Sequence, residues 1–183
     1  PTDITTTLFT WNIRSFETHS DEAYSHEADI MAIQEADVLE NHRTKYTHLA
    51  KQNSKQIAYG HTTNIAKDGS RQGRRVLMLT KQTHKTVDLP PQPQDDLHHW
   101  LIGTGRWHEQ YIPLDDGKSG IILANLSGHS SASNNTTAFT NNEHLIAAAV
   151  IRASQFPETP YYLVGDFNID PTNSQVLQTT QTH

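Results

Sequence analysis

Tyr161-Tyr162-Leu163-Val164-Gly165-Asp166-Phe167-Asn168 decides the fold. Its first four residues form a short apolar run, aromatic or β-branched at three positions, which reads as a buried strand. The strand runs directly into Gly165, Asp166 and Asn168, so it delivers a carboxylate and an amide at its carboxyl end. The same construction occurs twice upstream. Leu8-Phe9-Thr10-Trp11-Asn12-Ile13 alternates as a strand and closes on Asn12, and Ile30-Met31-Ala32-Ile33 closes on Gln34-Glu35.

Between these strands the pattern alternates with helices. Ser20, ahead of Asp21-Glu22-Ala23-Tyr24, is a plausible N-cap whose acidic followers suit the positive end of the helix dipole. Leu39 to about Ser54 reads as a second helix, and Gln56-Ile57-Ala58-Tyr59-Gly60 as a strand. Ala66 to Gly73 has turn composition, and Arg75-Val76-Leu77-Met78-Leu79-Thr80 resumes a strand. The proline-rich run Pro90 to Asp96 cannot sit in a central strand and is expected as a surface loop. Strands are then expected at Trp100-Leu101-Ile102, Arg106 to Ile112 and Gly120 to Leu126, with Asp115-Asp116-Gly117-Lys118 as a hairpin turn. Together they suggest antiparallel sheet. The helix from Asn141 to Gln155 carries Leu145, Ala148, Ala149 and Arg152 at helical spacing and breaks at Pro157.

Composition sets limits. The 183 residues fit one domain, 1–183, better than two. There is no cysteine, which excludes disulfides, thiol catalysis and cysteine-bound zinc. No apolar run approaches the roughly 20 residues needed to span a bilayer. The formal charge of -6 argues against general nucleic-acid affinity. Arg71, Arg74 and Arg75 around Gly73 nevertheless offer a modest basic rim, suited either to solvent or to phosphate contact. His98-His99 has no third ligand at fitting spacing. Neighbours on a strand point to opposite faces, so both are expected at the surface.

The three polar strand ends suggest a chemistry. Carboxylates and amides converging at the tips of a twisted sheet make a hard, oxygen-rich pocket suited to Mg²⁺ or Mn²⁺, which keep several waters and take one or two carboxylates plus substrate phosphate.

Thr10-Trp11-Asn12-Ile13, Ala32-Ile33-Gln34-Glu35 and Val164-Gly165-Asp166-Phe167-Asn168 resemble, in order and context, the signature motifs of the endonuclease/exonuclease/phosphatase superfamily. The resemblance implies a four-layer α/β/β/α sandwich with two mostly antiparallel sheets. It implies a Mg²⁺- or Mn²⁺-dependent phosphodiesterase, an endonuclease acting on DNA by in-line attack of an activated water. In that scheme Glu35 is the metal-binding carboxylate and Asn12 supports metal and phosphate. Asp166 orients or deprotonates the water, and Asn168 hydrogen-bonds the scissile phosphate. Arg106, beside the family's aromatic strand, Asn125 and Arg74 are expected substrate contacts.

Two departures accompany the resemblance. The family's phosphate-contacting His or Tyr after Asn125 is replaced by Ser127, with His129 two residues on as a substitute catalytic side chain. The family's final aspartate-histidine motif should lie well beyond Asn168. His183, with no preceding aspartate, is not assigned that role, so the domain is expected to be incomplete at its C-terminus. The alternatives are a phosphoesterase acting on lipid or small phosphoesters, and a catalytically degenerate binding domain on the same scaffold.

Overall fold

Alternation along the strands builds two sheets, each with one face toward helices and one toward the other sheet. The computed structural model describes residues 5–62, 73–89, 94–114 and 119–180. The first sheet contains β1 (Leu8–Asn12), β2 (Ile30–Gln34), β3 (Lys55–Tyr59) and β4 (Leu77–Lys81), in the order β1-β2-β4-β3. The second contains β5 (Val87–Asp88), β6 (Trp107–Pro113), β7 (Gly120–Ser127) and β8 (Tyr161–Asp166), in the order β5-β6-β7-β8. The β1/β2 and β7/β8 pairs are parallel and the remaining pairs antiparallel.

Three apolar layers separate four structural ones. Outside the first sheet, helices α1 (Phe16–Ser25) and α2 (Arg43–Gln52) pack Phe16, Tyr24 and Tyr46 on Met31, Ile33, Leu77 and Leu79. Outside the second, α3 (Asp96–Gly103) and α4 (Thr136–Ser154) pack Leu101, Leu145 and Ala149 on Trp107, Ala124 and Leu126. Between the sheets lie Ile30, Met78, Ile112 and Leu123. Each large apolar side chain so buried contributes about 1.5–3 kcal/mol. The expected α/β/β/α sandwich with two mostly antiparallel sheets is the observed architecture. No helix among the described residues is long and apolar enough to cross a membrane.

Several local expectations are corrected. Trp100-Leu101-Ile102 is helical, because the Asp95 carboxylate caps α3 by accepting from the His98 N–H at 2.9 Å. His98 is consequently buried rather than at the surface. Ser20 lies buried inside α1, which begins at Phe16, and does not cap it. Helix α4 starts before Asn141, since the Asn135 side chain accepts from the Ala138 N–H at 3.1 Å. Strand β5 and the short helix α5 (Gln175–Thr180) had no sequence expectation. The turn expected at Ala66–Gly73 lies almost wholly outside the described residues. So do the Asp115–Lys118 turn, Arg71, His183 and most of the proline run.

A polar side chain pins the sheets together. Asn125 on β7 is fully buried, and its amide donates to the Ile33 carbonyl at 2.9 Å and the Leu77 carbonyl at 3.0 Å. Its oxygen accepts from Gln34 Nε2 at 2.7 Å. Ile33 and Leu77 are register partners in β2 and β4, so one side chain from the second sheet clips two strands of the first.

A second polar cluster joins α3, α4, β6 and β8. The Arg152 guanidinium donates to Glu109 through Nη2 at 2.7 Å and through Nε at 3.2 Å, and to Asp95 through Nη1 at 2.7 Å. The Tyr161 hydroxyl donates to the same Glu109 carboxylate at 2.6 Å, and His98 Nε2 lies 3.2 Å from it. Burial raises the Tyr161 pKa, and the adjacent Glu109 charge raises it further.

Buried histidines give the fold a defined response to acid. Burial pushes the His108 pKa down to about 4, and lowers those of His98 and His61. A depressed folded-state value means that the unfolded chain binds the proton first, so stability rises with pH between about 4 and 6.5. At pH 5 the chain should be about 2 kcal/mol less stable than at pH 7 through His108 alone. Urea titrations at the two pH values measure this loss. His108→Gln should remove most of the difference, and an undiminished difference in that variant would refute the assignment.

Candidate active site

Strand direction gathers the polar ends. The parallel strands β1 and β2 finish together, as do β7 and β8, while β4 and β6 begin at the same rim, where Leu77 pairs with Ile33 and Trp107 with Leu126. Strands β1 and β8 pack against each other across the two sheets.

At that seam the Asn12 side-chain amide donates to Asp166 Oδ2, joining residues on different sheets. The other carboxylate oxygen, Asp166 Oδ1, accepts the Asn168 N–H at 3.2 Å. Asn168 occupies the left-handed region at φ 49°, which asparagine tolerates. Its side-chain amide reaches the Gly128 carbonyl at 3.4 Å. Gly165 allows this close approach of β8 to β7. Its φ is 142°, and an added Cβ would lie 1.9 Å from the Leu126 carbonyl oxygen.

Glu35 follows β2 directly, one position past the register partner of Asn12. Its φ of 52° is left-handed, a conformation that costs a non-glycine residue about 1–2 kcal/mol. Flanking backbone bonds enforce it: Ile13 N–H donates to the Gln34 carbonyl at 3.0 Å, and Ala36 N–H to the Arg75 carbonyl at 2.9 Å. Such strain is characteristic of functional positions.

The rim also carries positive charge. Arg106 Nη1 donates to the carbonyls of Ser127 at 3.0 Å and Gly128 at 2.6 Å. Burial and the neighbouring Arg75 push the Arg106 pKa down to about 10, opposed by the charges of Glu35 and Asp37, and the group stays cationic at neutral pH. His129 is half-buried, and burial, Arg106 and Arg75 lower its pKa. Its ring is therefore neutral near pH 7 and suited to accept a proton rather than to donate one.

Two expected substrate contacts are engaged within the fold. Asn125 is fully buried in the seam with its amide engaged on both sides, so it joins the sheets rather than facing the rim. Arg74 donates to the Gly60 carbonyl at 2.5 Å and to the Glu40 carboxylate at 2.9 and 3.1 Å, which ties it to a loop anchor. Ser127, in the slot where a phosphate-contacting side chain was expected, is fully buried.

Sequence reasoning missed Asn142. From within α4 its side chain accepts the His129 N–H at 2.6 Å and donates to the carbonyls of His129 at 3.1 Å and Asn168 at 3.3 Å. It holds together two loops that reach the rim from different strands. The available signal was its place on the buried stripe of Leu145, Ala149 and Arg152, where a polar residue needs a partner.

The donor set fits a hydrated hard cation. Asn12 Oδ1 is buried and has no hydrogen-bond partner among the described residues, beside an Asp166 carboxylate already oriented by two donors. No group of three or more His, Asp or Glu side chains forms a metal cage among the described residues.

Carboxylate, amide and arginine side chains stand along one set of strand ends of this two-sheet α/β sandwich. The sequence matches the Endonuclease/Exonuclease/phosphatase family over residues 9–181, and the chain belongs to that family, whose members are hydrolases acting on phosphoesters. No curated protein sequence matches it. Among solved structures, the human Nocturnin catalytic domain with bound sulfate superposes with a TM-score of 0.63 at 14% identity, over 94% of this chain and 68% of that one. ANGEL2, a 2′,3′-cyclic phosphatase in complex with adenosine-2′,3′-vanadate, gives 0.57 at 15% identity, over 97% of this chain and 57% of that one. The endonuclease domain of TRAS1, a telomere-specific non-LTR retrotransposon, gives 0.56 at 10% identity, over 97% and 70%. At these identities the likeness concerns the fold.

Proposed function

We propose that this domain is a metal-dependent phosphodiesterase that cleaves DNA by in-line attack of water. The observation that carries the reading is the Asn12–Asp166 hydrogen bond across the two sheets, with the Asn168 N–H on the other carboxylate oxygen. Held from both sides, Asp166 is oriented to accept a proton from an attacking water. The side-chain amides of Asn168 and Asn12 would steady the phosphate as charge develops, and Arg106 and Arg75 supply fixed positive charge at the same rim. Glu35 and Asn12 Oδ1 are the groups that would hold Mg²⁺ or Mn²⁺, which when bound supplies charge stabilisation to a phosphate oxygen. His129 would stand beside the phosphate as a neutral proton acceptor. Nucleic acid is favoured by the arginine rim and by the shared fold of the TRAS1 endonuclease domain.

Plasmid nicking titrated with Mg²⁺ and Mn²⁺ tests this reading. Chelation should abolish nicking, and Glu35→Gln should raise the metal concentration for half-maximal rate roughly tenfold or more, a ligand loss being at least as severe as loss of an outer-shell partner. Nicking indifferent to both would overturn the reading. Metal-dependent release of phosphate from small or lipid phosphoesters without nicking would move the substrate away from DNA. Absence of metal-dependent turnover on all these substrates would identify a binding domain on a hydrolase scaffold.

A further inference from the structure

We propose that the cleft on the far side of Asn168 is a subsite for the nucleoside attached to the scissile phosphate, with Phe139 as its stacking surface. The inference rests on the phosphodiesterase reading above and adds what recognises the substrate next to the reacting phosphate. The cleft has a volume of about 610 Å³, and its lining includes Ser131, Ser133, Phe139, Asn168, Asp170 and Asn173. Asn168 is shared with the catalytic rim, so a ligand filling the cleft lies directly beside the group assigned to the phosphate.

The lining selects the ligand's chemistry. Among the described residues, no lysine, arginine or histidine lines the cleft. The Asp170 carboxyl is held below the usual carboxylate range by the side chain and backbone N–H of Thr172, so it is ionised at neutral pH. A second phosphate would meet repulsion there and no counter-charge. Two hydroxyls, two amides and a carboxylate beside an aromatic ring suit a neutral, flat group with polar edges. A base stacks on such a ring whatever its identity, and its edge finds hydrogen-bonding partners around it.

The walls are fixed in advance. Phe139 lies one helical turn before Asn142, whose side chain fastens α4 to the His129 loop and to the Asn168 carbonyl. One turn further on from Phe139, Glu143 accepts from the Ser174 hydroxyl and from the Gln175 N–H at 3.1 Å, which ties the segment after Asp170 to the same helix. The hydrogen bonds that set the Asn168 carbonyl therefore also set the cleft, and little ordering cost remains for the ligand.

Equilibrium binding of thymidine 5′- and 3′-monophosphate against inorganic phosphate, in Mg²⁺ and followed by calorimetry, tests the subsite. One of the two nucleotides should bind about tenfold tighter than phosphate, within what stacking of one base contributes. Phe139→Leu, which keeps apolar bulk and removes the ring, should bring nucleotide affinity down to that of phosphate. Nucleotides and phosphate binding equally to the unaltered protein, or a nucleotide preference that survives Phe139→Leu, would overturn the subsite and leave the phosphodiesterase reading standing. Failure to bind either nucleotides or phosphate would overturn both.

Discussion

Asp166→Asn should lower metal-dependent DNA cleavage by about 10² to 10⁴-fold, the range expected when a positioned general base is lost, while leaving the fold in place. The substitution is isosteric. The replacement amide offers one acceptor where the carboxylate offers two, so either the Asn12 amide or the Asn168 N–H loses its partner. That loss should cost stability on the order of 1 kcal/mol, far too little to unfold the domain. Single-turnover nicking at saturating metal, together with a thermal melt, separates the two effects. A rate within roughly threefold of the unaltered protein would remove Asp166 from the chemistry, since general acid–base groups contribute far more.

The largest stability effect is expected away from the rim. Arg152→Met should destabilise the domain by about 3–5 kcal/mol, because removing one partner leaves an uncompensated buried charge. Glu109 is 4% exposed and, among the described residues, would keep the Tyr161 hydroxyl and His98, while Asp95 would lose its guanidinium partner. Burial lowers the His98 pKa against the opposing charge of Glu109, and with Arg152 removed that opposition strengthens, so His98 returns part of the lost positive charge at most. The double substitution Arg152→Met with Glu109→Gln should recover part of the loss by removing the stranded carboxylate. Urea denaturation of Arg152→Met, Glu109→Gln alone and the double variant measures the coupling. A single-variant loss below about 1 kcal/mol would show that the cluster behaves as a solvated ion pair.

How far the sequence was legible depended on which periodicity each residue obeyed. Asn12, Glu35, Asp166 and Asn168 stood out because each ends or follows an apolar strand, and parallel pairing brings such ends to one rim. The sandwich followed from the same motifs. Asn125 was read as a substrate contact because it precedes the catalytic loop. Counting by twos from Leu123 would have placed it on the inter-sheet face. Trp100-Leu101-Ile102 was read as a strand because a short apolar run fits a buried helix equally well, and the deciding signal was the Asp95 cap. Arg152 was visible on the buried stripe of α4, but its partners lie on other elements, and pairings that distant leave no local trace.

The Asn125 pin bears on more than cohesion. Asn12 and Glu35 belong to one half of the sandwich and Asp166 and Asn168 to the other, so the width of the proposed reaction centre is the offset between two separately built slabs. A single carboxamide, clasping paired carbonyls of β2 and β4 from β7, works as the locating dowel that fixes this offset. A slip of about 1 Å between reacting groups can cost on the order of a hundredfold in rate. In the proposed function, turnover is therefore exposed to changes at a fully buried amide.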